Sequence, residues 1–201
     1  MEVHHQLAEK AHHFMRIGRY DEAIDLYKKL LESDRKNTTY LENIGKMYYS
    51  LGRHEDAIAW YDKAVAINPK LPSVWFEKGY ALRKIHRYEE AIMCFDQVLT
   101  LDPDNALARA NKGYALNESG KFREALESFD TLLKTSPKNL RVMTAKGISL
   151  SKLGNNTEAL EYFDKVISYN PLDYYVQNQR AAVLRNLGRI QEADEFVKKG
   201  K

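Results

Sequence analysis

The residues most suited to chemistry lie at the start of the chain, where His4, His5, Glu9, His12 and His13 fall within fifteen positions. Imidazole and carboxylate together could hold a transition metal. On a helix, however, residues seven apart stand about 10 Å from each other, so His5 and His12 share an ion only if Glu9 bridges an awkward gap. Solvated histidines on a terminal helix are the favoured reading, and no metal site is assigned. The stretch from Gly113 to Gly120-Lys121-Phe122 resembles a phosphate loop only superficially. Its spacing is too long, and Phe122 stands where a Ser or Thr would hold magnesium. Cys94 is the only cysteine, which leaves neither a disulfide nor a cysteine pair for a metal, and a buried thiol is favoured over a nucleophile. No catalytic residue is assigned, no cofactor is implied, and an enzyme is not expected.

These residues sit on a regular frame. Alanine recurs at Ala23, Ala57, Ala91, Ala125, Ala159 and Ala193, a spacing of 34 each time. Small residues keep the same period at Ala11, Gly45, Gly79, Gly113, Gly147 and Ala181. So do the aromatic residues Tyr27, Tyr61, Phe95, Phe129 and Phe163, with Val197 closing their column, and the prolines Pro69, Pro103, Pro137 and Pro171, where the first unit has Arg35. Apolar spacing within each unit is helical, as in Tyr48 with Leu51 and Ile24 with Tyr27 and Leu30, so each unit predicts a pair of helices. Glycine at 18, 52, 120, 154 and 188 is placed to close the first helix in a left-handed conformation, and His86 in the same column predicts a strained turn. Acidic pairs such as Asp21-Glu22 and Glu89-Glu90 meet the positive end of the second helix dipole, which accounts for them without catalysis.

With Trp75, Gly79, Leu82, Tyr88, Ala91, Phe95 and Pro103 in one unit, and Leu41, Gly45, Tyr48, Gly52, Ala57, Tyr61, Ala64 and Pro69 in another, the pattern resembles the tetratricopeptide repeat family. The resemblance implies an all-α fold, an α-solenoid winding as a right-handed superhelix of six antiparallel helix pairs. The units would be residues 4–37, 38–71, 72–105, 106–139, 140–173 and 174–201, in a single domain over 1–201. In the family the first helices line a concave groove, and the usual role is scaffolding or peptide capture.

Carrying the family's groove positions onto this chain gives Lys46, Tyr49, Phe76, Tyr80, Arg83, Lys84, Asn111, Tyr114, Asn117, Arg141, Lys152, Tyr175, Asn178 and Arg185. Glu9, Glu42, Glu77 and Glu118 fall in or beside this lining, so it is mixed toward the N-terminal end and more positive from the third unit onward. Aromatic rings and arginines dominate interface energetics, and asparagine can hold a peptide backbone. The implied function is a scaffold that captures a peptide segment or helix of a partner protein, acidic and with aromatic anchors; the bland alternative is a solvated face. One subset of the family grips chaperone carboxyl termini with a Lys, Asn, Asn, Lys, Arg clamp. The corresponding residues here, Ala8, His12, Asn43, Ser73 and Glu77, do not form it, so such peptides are not expected partners.

A runner-up from another class is single-stranded RNA binding, with groove tyrosines stacking on bases and basic residues on phosphates. The charge balance disfavours nucleic acid: 31 basic and 28 acidic residues leave a net charge of only +3. No apolar run is long enough for a membrane span and no leader pattern opens the chain, so the expectation is a cytoplasmic protein with no membrane partner. At the far end Asp194 replaces the Ile or Leu of the other units, while Phe196 and Val197 have no seventh unit to cover them, from which weak self-association is expected.

Overall fold

A computed structural model describes residues 2–199, with side chains described from His4 to Asp194. Among the described residues there are twelve α-helices and no strand. They follow one another as α1 (Glu2–Arg16), α2 (Tyr20–Ser33), α3 (Thr38–Ser50), α4 (His54–Ile67), α5 (Pro72–Lys84), α6 (Tyr88–Leu101), α7 (Ala106–Glu118), α8 (Phe122–Thr135), α9 (Leu140–Lys152), α10 (Asn156–Tyr169), α11 (Tyr174–Asn186) and α12 (Ile190–Lys199). The helix pairs match the 34-residue period. The chain forms two compact units, one up to Ala108 and the other from Arg109, so the boundary falls inside α7.

The turn between the two helices of a pair follows from backbone sterics. Gly18, Gly52, Gly120, Gly154 and Gly188 all take positive φ, and His86 takes φ 63°, the one non-glycine to do so among the described residues. A side chain in that region crowds its own carbonyl, so the strained turn expected at His86 is present. Its imidazole Nδ1 lies 2.6 Å from the Tyr88 hydroxyl, a contact glycine could not make.

First helices start on side-chain caps. Asn37, Asn105, Asn139 and Asp173 accept from the backbone N–H three residues on, which satisfies one of the amides a helix start leaves open. Leu71 holds that place before α5, where Pro72 opens the helix without needing a cap for its own missing N–H. Second helices use another device. Arg19, Arg53, Arg87 and Arg189 precede them and pair with Glu22, Asp56, Glu90 and Glu192 in their first turns.

Within each unit, successive helices pack as antiparallel neighbours over the small-residue column. In the first unit the Tyr61 ring lies so close to Gly45 that an added Cβ would meet its Cε1 at 2.4 Å; in the second, Phe129 bears on Gly113 and Phe163 on Gly147 in the same way. Tyr61, Phe95, Phe129 and Phe163 are wholly buried, as is the alanine column from Ala23 to Ala193. First helices also touch one another: α3 meets α5 in the first unit, and α9 meets α11 in the second. Each unit therefore presents a face made of first helices, called the inner face below.

Candidate inner-face binding site

In the first unit the expected lining residues gather into an aromatic row. Tyr49, on the last turn of α3, lies 5.7 Å from the Tyr80 ring, and Phe76 stacks on Tyr80 at 6.4 Å with their planes 9° apart. Phe76 also meets Phe95 edge-on at 5.8 Å, which ties the row to the core. One turn past Tyr80, the Arg83 guanidinium lies 5.5 Å from the Tyr80 centroid and the Lys84 ammonium 5.7 Å. Rings faced by cations are held flat and remain partly accessible, a combination that suits a partner side chain. Lys46 makes none of these ring contacts and is held 2.7 Å from Glu42.

The second unit brings together fewer of the expected residues. Arg141 stacks on Tyr114 at 4.9 Å, and Tyr114 leans on Phe129 at 5.7 Å. Asn111 is half-buried on α7. Asn117 is engaged inside the protein: its amide donates to the Ala145 carbonyl at 3.0 Å, and its oxygen accepts from the Ser149 hydroxyl. That asparagine braces α7 against α9. Lys152, Tyr175 and Asn178 are exposed, and Arg185 turns toward α12, where it meets Asp194 at 3.1 Å. Asp194 is exposed. Phe196 and Val197, on which the expected self-association rests, lie outside the described residues.

The residues first considered for chemistry do not assemble. His5 contacts Glu9 at 3.4 Å as an exposed i,i+4 pair, and among the described residues no group of three or more His, Cys, Asp or Glu gathers where a metal could sit. Burial pushes the Cys94 thiol up to about 11, so near neutral pH it is a thiol rather than a nucleophilic thiolate. No helix among the described residues is long and apolar enough to cross a membrane.

Two features were absent from the sequence-based expectations. The first is a set of ion pairs joining a second helix to the next first helix: Lys78 to Asp62 at 2.5 Å, Lys146 to Asp130, and Arg180 to Asp164 at 2.5 Å. Lys146 is almost fully buried. Burial alone would lower its ammonium, but hydrogen bonds to Asp130 and to the Tyr162 hydroxyl outweigh that and raise it. The signal was available, because aspartate recurs at 62, 96, 130 and 164 and a cation at 78, 112, 146 and 180, each with the period of 34. The second is the burial of Glu77, which was expected in or beside the lining and is half-buried on α5. Burial lifts its carboxyl above the usual range; Lys46 pulls it back and Glu42 pushes it further.

Comparison with known proteins agrees with this geometry. Sequence profiles of the tetratricopeptide repeat match residues 9–72 and residues 72–199. The chain belongs to the tetratricopeptide repeat family. A tetratricopeptide repeat protein from Parabacteroides merdae has a similar structure, with a TM-score of 0.87 at 21% identity over 99% of this chain and 79% of that one. MamA from Desulfovibrio magneticus reaches 0.77 at 20% identity, over 81% of this chain and 92% of that one. YrrB, a tetratricopeptide repeat protein with an unusual peptide-binding site, reaches 0.78 at 22% identity, over 85% and 88%. At these identities the likeness concerns the fold, which is an all-α solenoid. Among curated protein sequences none matches the chain significantly.

Proposed function

We propose that this member of the tetratricopeptide repeat family is a non-catalytic scaffold that captures a peptide segment or helix of a partner protein on its inner face, residues 1–201 acting as a single interaction domain. The observation that carries the reading is the row of Tyr49, Tyr80 and Phe76 with Arg83 and Lys84 set against Tyr80. Partly accessible rings anchored to a core give a partner apolar area at little cost in conformational freedom. Arg83, Lys84 and Arg141 favour acidic residues in the partner, next to aromatic anchors. YrrB, which shares the fold, has a peptide-binding site, which supports the reading. Ser73 and Glu77 in place of two clamp cations argue against chaperone carboxyl termini as the ligand. The lone buried Cys94 suits a reducing, cytoplasmic setting.

Stacked tyrosines with cations also suit single-stranded RNA, so the deciding experiment is binding across salt. An RNA ligand should lose affinity steeply and linearly in the logarithm of salt concentration, whereas a peptide held mainly by rings should lose little. Steep salt dependence with RNA, together with failure to retain any protein, would overturn the proposal.

A further inference from the structure

The wholly buried aromatic column carries a hydroxyl in its first two members, Tyr27 and Tyr61, and none in Phe95, Phe129 and Phe163. A hydroxyl added to a packed ring must find a partner or lose hydrogen bonds it had in water. At Tyr27 it has one, because the Asn43 amide donates to it at 3.2 Å. One period after Asn43 the chain places Glu77, and there the Tyr61 hydroxyl is enclosed and makes no hydrogen bond. The groups whose charges act on it are Glu77, Glu42 and Tyr49, all on the first helices α3 and α5. The Tyr61 ring lies over Gly45, in the space that an added Cβ would need.

Glu77 is itself unmatched. Among the described residues it forms no ion pair, since Lys46, whose charge favours its ionisation, is held by Glu42. With both carboxylates ionised, Glu42, Lys46 and Glu77 sum to one negative charge on a half-buried floor. Beside them stand the rings of Tyr49 and Tyr80, 5.7 Å apart. Carboxylate below and aromatic wall beside is the chemistry that receives a cationic side chain.

We propose that this floor is the subsite for one lysine or arginine of the captured segment, its charge seated on Glu77 and Glu42 beside Tyr49. The assignment rests on the inner face being the partner-binding surface, and adds that the partner segment carries a cation as well as the acidic residues that suit Arg83, Lys84 and Arg141. The charged groups acting on Glu77 are Lys46 and Glu42 on α3, while Arg83 and Glu77 both act on Tyr49, against which His54 lies at 4.9 Å. A phosphate backbone would be repelled here.

The test is a random dodecapeptide library displayed on phage and selected against the full chain, with clones sorted by whether Tyr80→Ala abolishes binding. Clones that depend on Tyr80 should share a lysine or arginine. Replacing that residue with methionine should weaken binding to the wild type about tenfold, and should change binding to Glu77→Gln little. Circular dichroism and thermal unfolding of Glu77→Gln show that the variant is folded. Tyr80-dependent clones with no shared cation, or a cation worth as much to Glu77→Gln as to wild type, would overturn the subsite and leave the inner face standing. If no clone depends on Tyr80, the inner-face reading falls and the subsite with it.

Discussion

Replacing Gly113 with alanine sets two effects of known sign against each other. Alanine is the better helix former by about 1 kcal/mol, so on propensity alone the variant gains stability. The added Cβ, however, would stand 2.5 Å from Phe129 Cε1 and 3.0 Å from Cδ1 and Cζ. Ordinary carbon contacts begin near 3.5 Å, so the ring or the helix must retreat by about 1 Å. Phe129 has no exposed surface and rests against Tyr114, which leaves it no open side to move into. Overpacking costs about 1–3 kcal/mol, and a contact as short as 2.5 Å belongs in the upper half of that range, about 2–3 kcal/mol, so after the propensity gain the net expectation is a loss of about 1–2 kcal/mol. For a chain of this size that is a fall in Tm of about 3–6 °C. Gly79→Ala is the internal control, because its nearest neighbours stand at 3.0–3.1 Å and the strain there should roughly cancel the propensity gain. Both variants can be followed by far-ultraviolet circular dichroism on heating and in urea. A Gly113→Ala protein as stable as wild type, or more stable, would refute the claim that the small-residue column marks helix pairs in direct contact.

Three further outcomes follow from single residues. Burial raises the Glu77 carboxyl above its unfolded value, so its ionisation costs folded-state stability at pH values above both and costs nothing below both. Glu77→Gln should therefore raise Tm near neutral pH and leave it unchanged in acid, below the ordinary glutamate pKa; a variant that is less stable near neutrality contradicts this. His86→Gly should gain about 0.5 kcal/mol, since relief of the positive φ outweighs the greater freedom of glycine in the unfolded chain and the lost Tyr88 contact, and denaturant midpoints measure it. Asp130→Asn removes the counter-charge of the nearly buried Lys146 ammonium, leaving it neutral acceptors alone, and should cost about 1–2 kcal/mol, less than a fully buried pair because half of Asp130 is in water. Unchanged stability at low and high salt would show that this pair is idle.

The helix pairs, their turns and the contact columns were legible because each repeats with the period and has a local cause. Gly45 and Tyr61 can be matched as columns without knowing how the helices cross, and His86 could be read as strained simply by standing among glycines. The ion pairs between repeats were visible as columns too, but aspartate and lysine on helices are ordinarily solvated, so only the burial of Lys146 shows that they are structural. Asn117 illustrates the opposite limit. Its position on the first helix suggested a peptide contact, whereas its amide reaches α9, a pairing that depends on the distance between two helices and leaves no trace in spacing. The Tyr61 hydroxyl and Glu77 share that limit: sixteen residues apart, they become neighbours only because α4 and α5 pack together.

The central claim is that partners bind the inner face. A pull-down from native lysate supplies a partner, and calorimetric titration of it against Tyr80→Ala, Arg141→Ala and Met93→Ala tests the claim directly, Met93 being an exposed residue of the second helix α6. The account predicts a loss of about 1–3 kcal/mol for Tyr80→Ala, a smaller and salt-sensitive loss for Arg141→Ala, and no change for Met93→Ala. Affinity indifferent to Tyr80 and Arg141 but reduced by Met93→Ala would place the binding surface on the second helices and contradict it.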